Sequence, residues 1–146
     1  MKNIILVVLF LFTSFYSVAQ DRDQHREKIK ALKTAFITEG LNLTAKEAQQ
    51  FWPVYNEYEE KRRNLYRRER AEVENMECLS EDNADAKLDE YVEIEREDYL
   101  LKKKYYNDLK KILTARRIMQ LKKVEDEFNQ KMMREYRERQ QASKNN

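Results

Sequence analysis

A chain of 146 residues with one glycine and one proline has almost no means of turning sharply. Glycine supplies left-handed backbone and proline ends regular structure, so a chain nearly free of both is built from a few long segments. What lies between is rich in Glu, Lys, Arg and Leu, all strong helix formers, and 38% of the chain is charged. The predicted fold is therefore all-α. The same scarcity excludes function classes. One glycine furnishes neither a phosphate-cradling loop nor a dinucleotide-binding turn. One cysteine and one histidine provide no internal disulfide, no cysteine-based zinc site and no multi-histidine metal centre. A formal net charge of +2 gives no overall attraction for nucleic acid or membranes.

The N-terminus reads as a secretory leader. Lys2 precedes an unbroken apolar run, Ile4 to Phe12, and Ser17-Val18-Ala19 is a small-x-small cleavage pattern. Residues 1–19 form the expected signal peptide, cut after Ala19; the apolar run is too short for a spanning helix. No cysteine stands near the cut, so no lipid anchor is expected. Residues 20–140 are then a single helical domain and residues 141–146 a disordered polar tail. With the leader removed, the 41% apolar share of the chain falls and the 38% charged share rises. So thin a core under so charged a surface fits an open set of helices or an oligomer better than a tight single-chain bundle.

Spacing divides the mature chain into four helices. The first runs from Asp23 to Thr38, striped by Ile29, Leu32 and Phe36, with Gly40 expected just past its end in left-handed backbone. The second starts at Thr44, whose hydroxyl and the Glu47 carboxylate three residues on form a capping box. It continues to Cys78 through the stripe Phe51/Trp52, Tyr55, Tyr58, Leu65/Tyr66, Val73 and Met76, bending at Pro53. Ser80 to Asp85 is the expected turn. The third helix spans Asp85 to Ile112, striped by Leu88, Tyr91/Val92, Tyr99, Tyr105/Tyr106 and Leu109. The fourth runs from Thr114 to Gln140, striped by Ile118, Leu121, Val124, Phe128, Met132 and Tyr136. Helices two and three make a long antiparallel hairpin.

The second and fourth helices repeat. Displaced by 70 positions, residues 43–68 overlay residues 113–138 with nine identities in 26, including Leu43/Leu113, Thr44/Thr114, Val54/Val124 and Tyr66/Tyr136. Both copies open with Leu-Thr at a helix start, which implies two like corners in the fold.

This twice-occurring Leu-Thr start, in an exported, charge-rich helical chain, resembles the Spy/CpxP family of bacterial periplasmic proteins, whose signature is a repeated Leu-Thr-x-x-Gln. The continuation FWPVYNEY, Phe51 to Tyr58, is similar to the branch labelled sensor of ECF-type sigma factor. Glu47 and Arg117 stand where that family has Gln. The resemblance implies a helical hairpin, a homodimer shaped as a curved cradle, a periplasmic location, and ATP-independent chaperone activity or envelope-stress sensing. It implies no cofactor.

Charge is distributed in blocks. Lys61 to Arg70 holds six cations and one anion; Glu72 to Asp98 holds twelve acids and two cations; Leu100 to Lys123 holds nine cations and one acid. Two arrangements satisfy them. The acidic start of the third helix folds against the basic end of the second, or some of the cationic surface stays open. In the second case Arg62, Arg63, Arg67 and Arg70, interleaved with Tyr66, offer long-range attraction and short-range aromatic capture for unfolded or acidic polypeptides. The aromatics raise a similar choice. Phe51 and Trp52 cannot both face one seam, so one of them, with Tyr55 or Tyr58, covers a neighbouring helix or a binding groove. A membrane-bound sensor or anti-sigma protein is the alternative partner. Carboxylates are abundant but lie on solvated faces without a Ser/His or Cys/His arrangement, so no enzyme is expected. His25 and Cys78 are each single, and no metal site is expected.

Overall fold

The computed structural model describes residues 24–74 and 80–144. The leader, the expected end of the second helix at Cys78, and Met76 lie outside these residues. Among the described residues there are four helices and no strand: α1 (residues 24–40), α2 (Ala45–Glu74), α3 (Glu81–Leu109) and α4 (Ala115–Lys144). None is long and apolar enough to cross a membrane. The chain gathers into two compact units, one comprising Leu43–Lys122 and the other α1 with the chain from Lys123 onward.

Helix boundaries differ from the sequence reading where a local contact outweighs a punctuating residue. The α1 helix runs through Gly40, which is not in left-handed backbone. That conformation falls to Asn42, at φ 48°. The Leu41 amide bonds the Ile37 carbonyl at 3.0 Å and the Asn42 amide bonds that of Glu39 at 2.9 Å, closing the helix. Asparagine tolerates this conformation better than most residues. Gly40 has another reason to be glycine. A Cβ there would stand 2.8 and 2.9 Å from the two methyls of Val124, so the position permits close approach of two helices. The α3 helix begins at Glu81 rather than Asp85. Ser80 sits in extended backbone at its N-cap position, without a side-chain capping bond, and the acidic first turn suits the positive end of the helix dipole. It ends at Leu109 rather than Ile112, where the Lys111 and Ile112 amides tighten to the carbonyls of Asp108 and Leu109. The α4 helix continues to Lys144, past the expected Gln140. The α2 helix is unbroken across Pro53.

In the unit of α1 and the chain from Lys123 onward, Ile37, Leu41, Val124 and Phe128 are buried, and the Phe36 and Phe128 rings meet at 5.6 Å. The α1 stripe is thus displaced from the expected one, since Leu32 is exposed and Ile37 is fully covered. In the Leu43–Lys122 unit, α2 packs on α3 in antiparallel register, as the pairs Tyr58–Tyr105 and Arg68–Glu97 record. Phe51, Tyr55, Tyr58, Ile94, Tyr105, Leu109, Leu113, Ile118 and Leu121 are buried there. The expected α3 stripe is overturned in its first half. Leu88, Val92 and Tyr99 are exposed, and Ile94, which the stripe omits, is 2% exposed. Ile94 and Tyr105 stand eleven residues apart, close to three whole turns, so they share the face that meets α2.

Three repeat-equivalent aromatic or apolar pairs share the same fate. Phe51 and Leu121 are buried, as are Tyr58 and Phe128, whereas Tyr66 and Tyr136 are both exposed.

Candidate functional site

The two Leu-Thr corners are built as capping motifs. At the first, the Thr44 amide donates to Glu47 Oε2 at 2.9 Å and the Glu47 amide to Thr44 Oγ1 at 3.3 Å, the reciprocal pair of a capping box. At the second, the Arg117 amide reaches Thr114 Oγ1 at 3.4 Å, so one half of the motif remains. Leu113 is buried and Leu43 half-buried. The substituted positions then meet. The Arg117 guanidinium donates to both oxygens of Glu47, Nη2 to Oε2 at 3.2 Å, and each side chain is only a quarter exposed. The Arg117 guanidinium, and then the Thr44 amide, hold the Glu47 carboxyl at about 2. Charges placed seventy residues apart in the repeat thus lock the two corners of this unit together. Both departures are visible in the sequence, and their identical place in the two copies is the signal that pairs them.

The aromatic residues divide. Tyr55 and Tyr58 are 3% and 8% exposed, so neither is offered to a partner, contrary to the sequence expectation. Tyr58 stacks on Tyr105 with centroids 3.9 Å apart and planes 5° apart, and burial pushes its phenol up to about 12. Phe51 and Tyr55 stack at 5.4 Å, and Trp52 meets both edge-on from a half-buried position. This cluster is core, with Trp52 at its margin.

The basic block behaves differently. Arg68 crosses to α3 and holds Glu97 through two bonds, 2.7 and 3.3 Å. Arg62, Arg63 and Arg67 do not cross. Arg62 lies 3.8 Å from Glu59 on its own helix, Arg67 donates to Asn64, and Arg63 makes no ion pair with a described residue. All three are exposed, as is Arg70, and Tyr66 beside them is 60% exposed. Arg63, Arg67 and Arg70, spaced by four and three, share one face of α2 and make a ridge roughly 10 Å long. Both arrangements left open by the sequence are therefore present: Arg68 is held by the acidic helix, while Arg63 and Arg67 remain on the solvent side. On α3 the charges largely answer one another along the helix, as in Arg96–Glu93 at 2.5 Å and Lys102–Asp98 at 2.8 Å.

On the other flank of the α2–α3 seam from Arg68, Tyr66 overlooks a cleft between the two helices. Arg62, Leu65, Glu69, Ile94, Glu95 and Asp98 line it with Tyr66. No spacing in the sequence marks this cleft, because its two walls come from separate helices. A second hollow lies between Val54, Glu57, Lys61, Lys104 and Asp108, closed by the pairs Lys61–Glu57 at 2.5 Å and Lys104–Asp108 at 2.6 Å. Lys104 and Lys111 hold the Asp108 carboxyl at about 2. Among the described residues no cluster of His, Cys, Asp and Glu could hold a metal ion, and Cys78 lies outside them.

No family model, no curated protein and no solved structure matches this chain.

Proposed function

We propose that this is an exported helical protein of Spy/CpxP type that binds unfolded or acidic polypeptide segments reversibly, without ATP or any cofactor, in the periplasm. The observation that carries the reading is the open surface of α2. Arg62, Arg63 and Arg67 remain on the solvent side around a Tyr66 ring that is 60% exposed, although twelve acids follow them in the chain. Exposed guanidinium groups attract acidic segments over distance, and the ring with the arginine stems gives apolar area at contact. Such contacts are individually weak and need no fixed client sequence. The other partner in this reading is a second copy of the chain. Leu88, Val92 and Tyr99 stand within about 40° of one another around α3 and are all exposed, an apolar strip that a homodimer would cover.

The test is light scattering from a denatured acidic protein in the absence of nucleotide. Suppression at several-fold excess of the mature chain is expected, with loss of most of that effect when Arg62, Arg63 and Arg67 are replaced by Ser. Scattering that the wild-type chain leaves unchanged rules out the chaperone reading. Capture of one membrane-bound sensor or anti-sigma protein, with no effect on general clients, supports the adaptor reading instead.

A further inference from the structure

The cleft beside Tyr66 has the opposite charge preference from the ridge. Its lining is mainly polar, with half-buried Leu65 and the Tyr66 ring as its apolar part and Ile94 covered beneath them. Its one cation, Arg62, is already near Glu59, and Asp98 holds Lys102. Glu69 and Glu95 remain, and neither makes an ion pair with a described residue. Two unanswered carboxylates beside an exposed aromatic face and the half-buried Leu65 complement a long cationic side chain. Its methylenes would lie on Leu65 and Tyr66 and its charged head at the carboxylates. The chain makes the same kind of contact elsewhere, with Lys103 Nζ 5.9 Å over the Tyr99 ring and Lys131 Nζ 5.8 Å over that of Phe36. An acidic side chain, which the ridge attracts, is repelled here.

We propose that this cleft is a docking site for an arginine or lysine side chain of the bound polypeptide. The inference rests on the function proposed above and deepens it by naming the client class. Tyr66 stands between ridge and cleft, so the surface favours segments of mixed charge, with an acidic residue on the ridge and a basic one in the cleft. A uniformly acidic segment uses only half of it.

The experiment uses three unstructured synthetic peptides with identical apolar residues: one carrying Arg and Asp, one with its Arg replaced by Gln, one with its Asp replaced by Asn. Their binding to the mature chain is read by fluorescence anisotropy. Replacing the peptide's Arg by Gln is expected to weaken binding about five-fold, as loss of a partly exposed charge pair allows. The Glu69→Gln/Glu95→Gln variant should weaken the Arg-containing peptides to the same extent. It should leave the Gln peptide unchanged or bind it more tightly. Arg63→Ser/Arg67→Ser should weaken only the Asp-containing peptides. All substitutions are on exposed or half-exposed helix positions, and far-UV circular dichroism confirms that each variant is folded. An Arg peptide that binds the Glu69→Gln/Glu95→Gln variant as tightly as wild type overturns the cleft, even if the ridge variant loses affinity and the function stands. Absence of binding by every peptide, together with unchanged scattering, overturns both.

Discussion

Gly40 gives the sharpest test of how the unit containing α1 is packed. Its backbone is right-handed helix, so alanine faces no conformational penalty there and gains up to about 1 kcal/mol of helix propensity. Against that, the new methyl would stand 2.8 and 2.9 Å from the two Val124 methyls and 3.5 Å from their Cβ. Relaxed carbon contacts lie near ~3.5–4.0 Å, so the helices or the valine must yield by roughly 0.7 Å. Valine in a helix has essentially one χ1 rotamer, and no rotation removes both methyls from the path. Overpacking of this kind costs about 1–3 kcal/mol, so Gly40→Ala should be net destabilising by about 1–2 kcal/mol, read by urea unfolding with far-UV circular dichroism. Val124→Ala alone should cost about 2 kcal/mol, for two methyls and the space they leave. In the Gly40→Ala background its cost should shrink by 1 kcal/mol or more, by about the size of the relieved overlap. The alternative, in which glycine is required for left-handed backbone, predicts equal costs in both backgrounds. Additive single effects, or a Gly40→Ala chain at least as stable as wild type, would refute the close-approach explanation.

Other outcomes follow from the same structure. Phe51 is wholly covered, and Phe51→Ala should cost ~3–5 kcal/mol in urea unfolding. Tyr66→Ser, at a position 60% exposed, should move stability by no more than about 0.5 kcal/mol while reducing client binding. The Glu47 carboxyl is held at about 2 in the folded chain, against 4.5 ordinarily. Its contribution to stability is therefore complete above pH 4.5 and disappears as pH falls through about 2. Arg117→Gln should flatten that part of the acid-unfolding curve, and an unchanged curve would show the corner pair to be inert. Tyr58 is displaced upward from 10.0 to about 12, so its neutral form belongs to the folded state. Its contribution is intact below pH 10 and is lost as pH rises through 12, and Tyr58→Phe should delay alkaline unfolding as followed by phenolate absorbance. Raising salt from 0.1 to 1 M shortens the Debye length from ~10 to ~3 Å and should slow association with acidic segments; rates independent of salt would remove the ridge from the encounter.

Much of the helical frame was legible because it rests on local chemistry. The Thr44–Glu47 box depends on residues three apart, and the helix start it marks is where the structure has it. The α4 stripe from Ile118 to Phe128 is buried as its spacing requires. Misjudgements fall where a distant neighbour decides. Gly40 looked like punctuation because no local pattern reveals Val124 against it. On α3 the expected stripe holds at Tyr105 and Leu109, but spacing also placed Leu88, Val92 and Tyr99 on it, whereas contact with α2 covers Ile94 instead. Tyr55 and Tyr58 were candidates for an exposed groove because spacing fixes which residues share a face, not which face a partner helix covers. The acidic cleft escaped notice because Glu69 and Glu95 lie in blocks of unlike sign and are brought together only by the hairpin.

The open face of α2 is tested most directly by photo-crosslinking. A benzoylphenylalanine placed at Tyr66, and in separate chains at Tyr55 and Tyr136, is irradiated with a denatured acidic protein as client. Strong crosslinks from position 66, few from the buried position 55, and fewer from position 136 than from 66 are the expected pattern. Equal yields at 66 and 136, or none at 66 while aggregation is still suppressed, would place client capture on another surface.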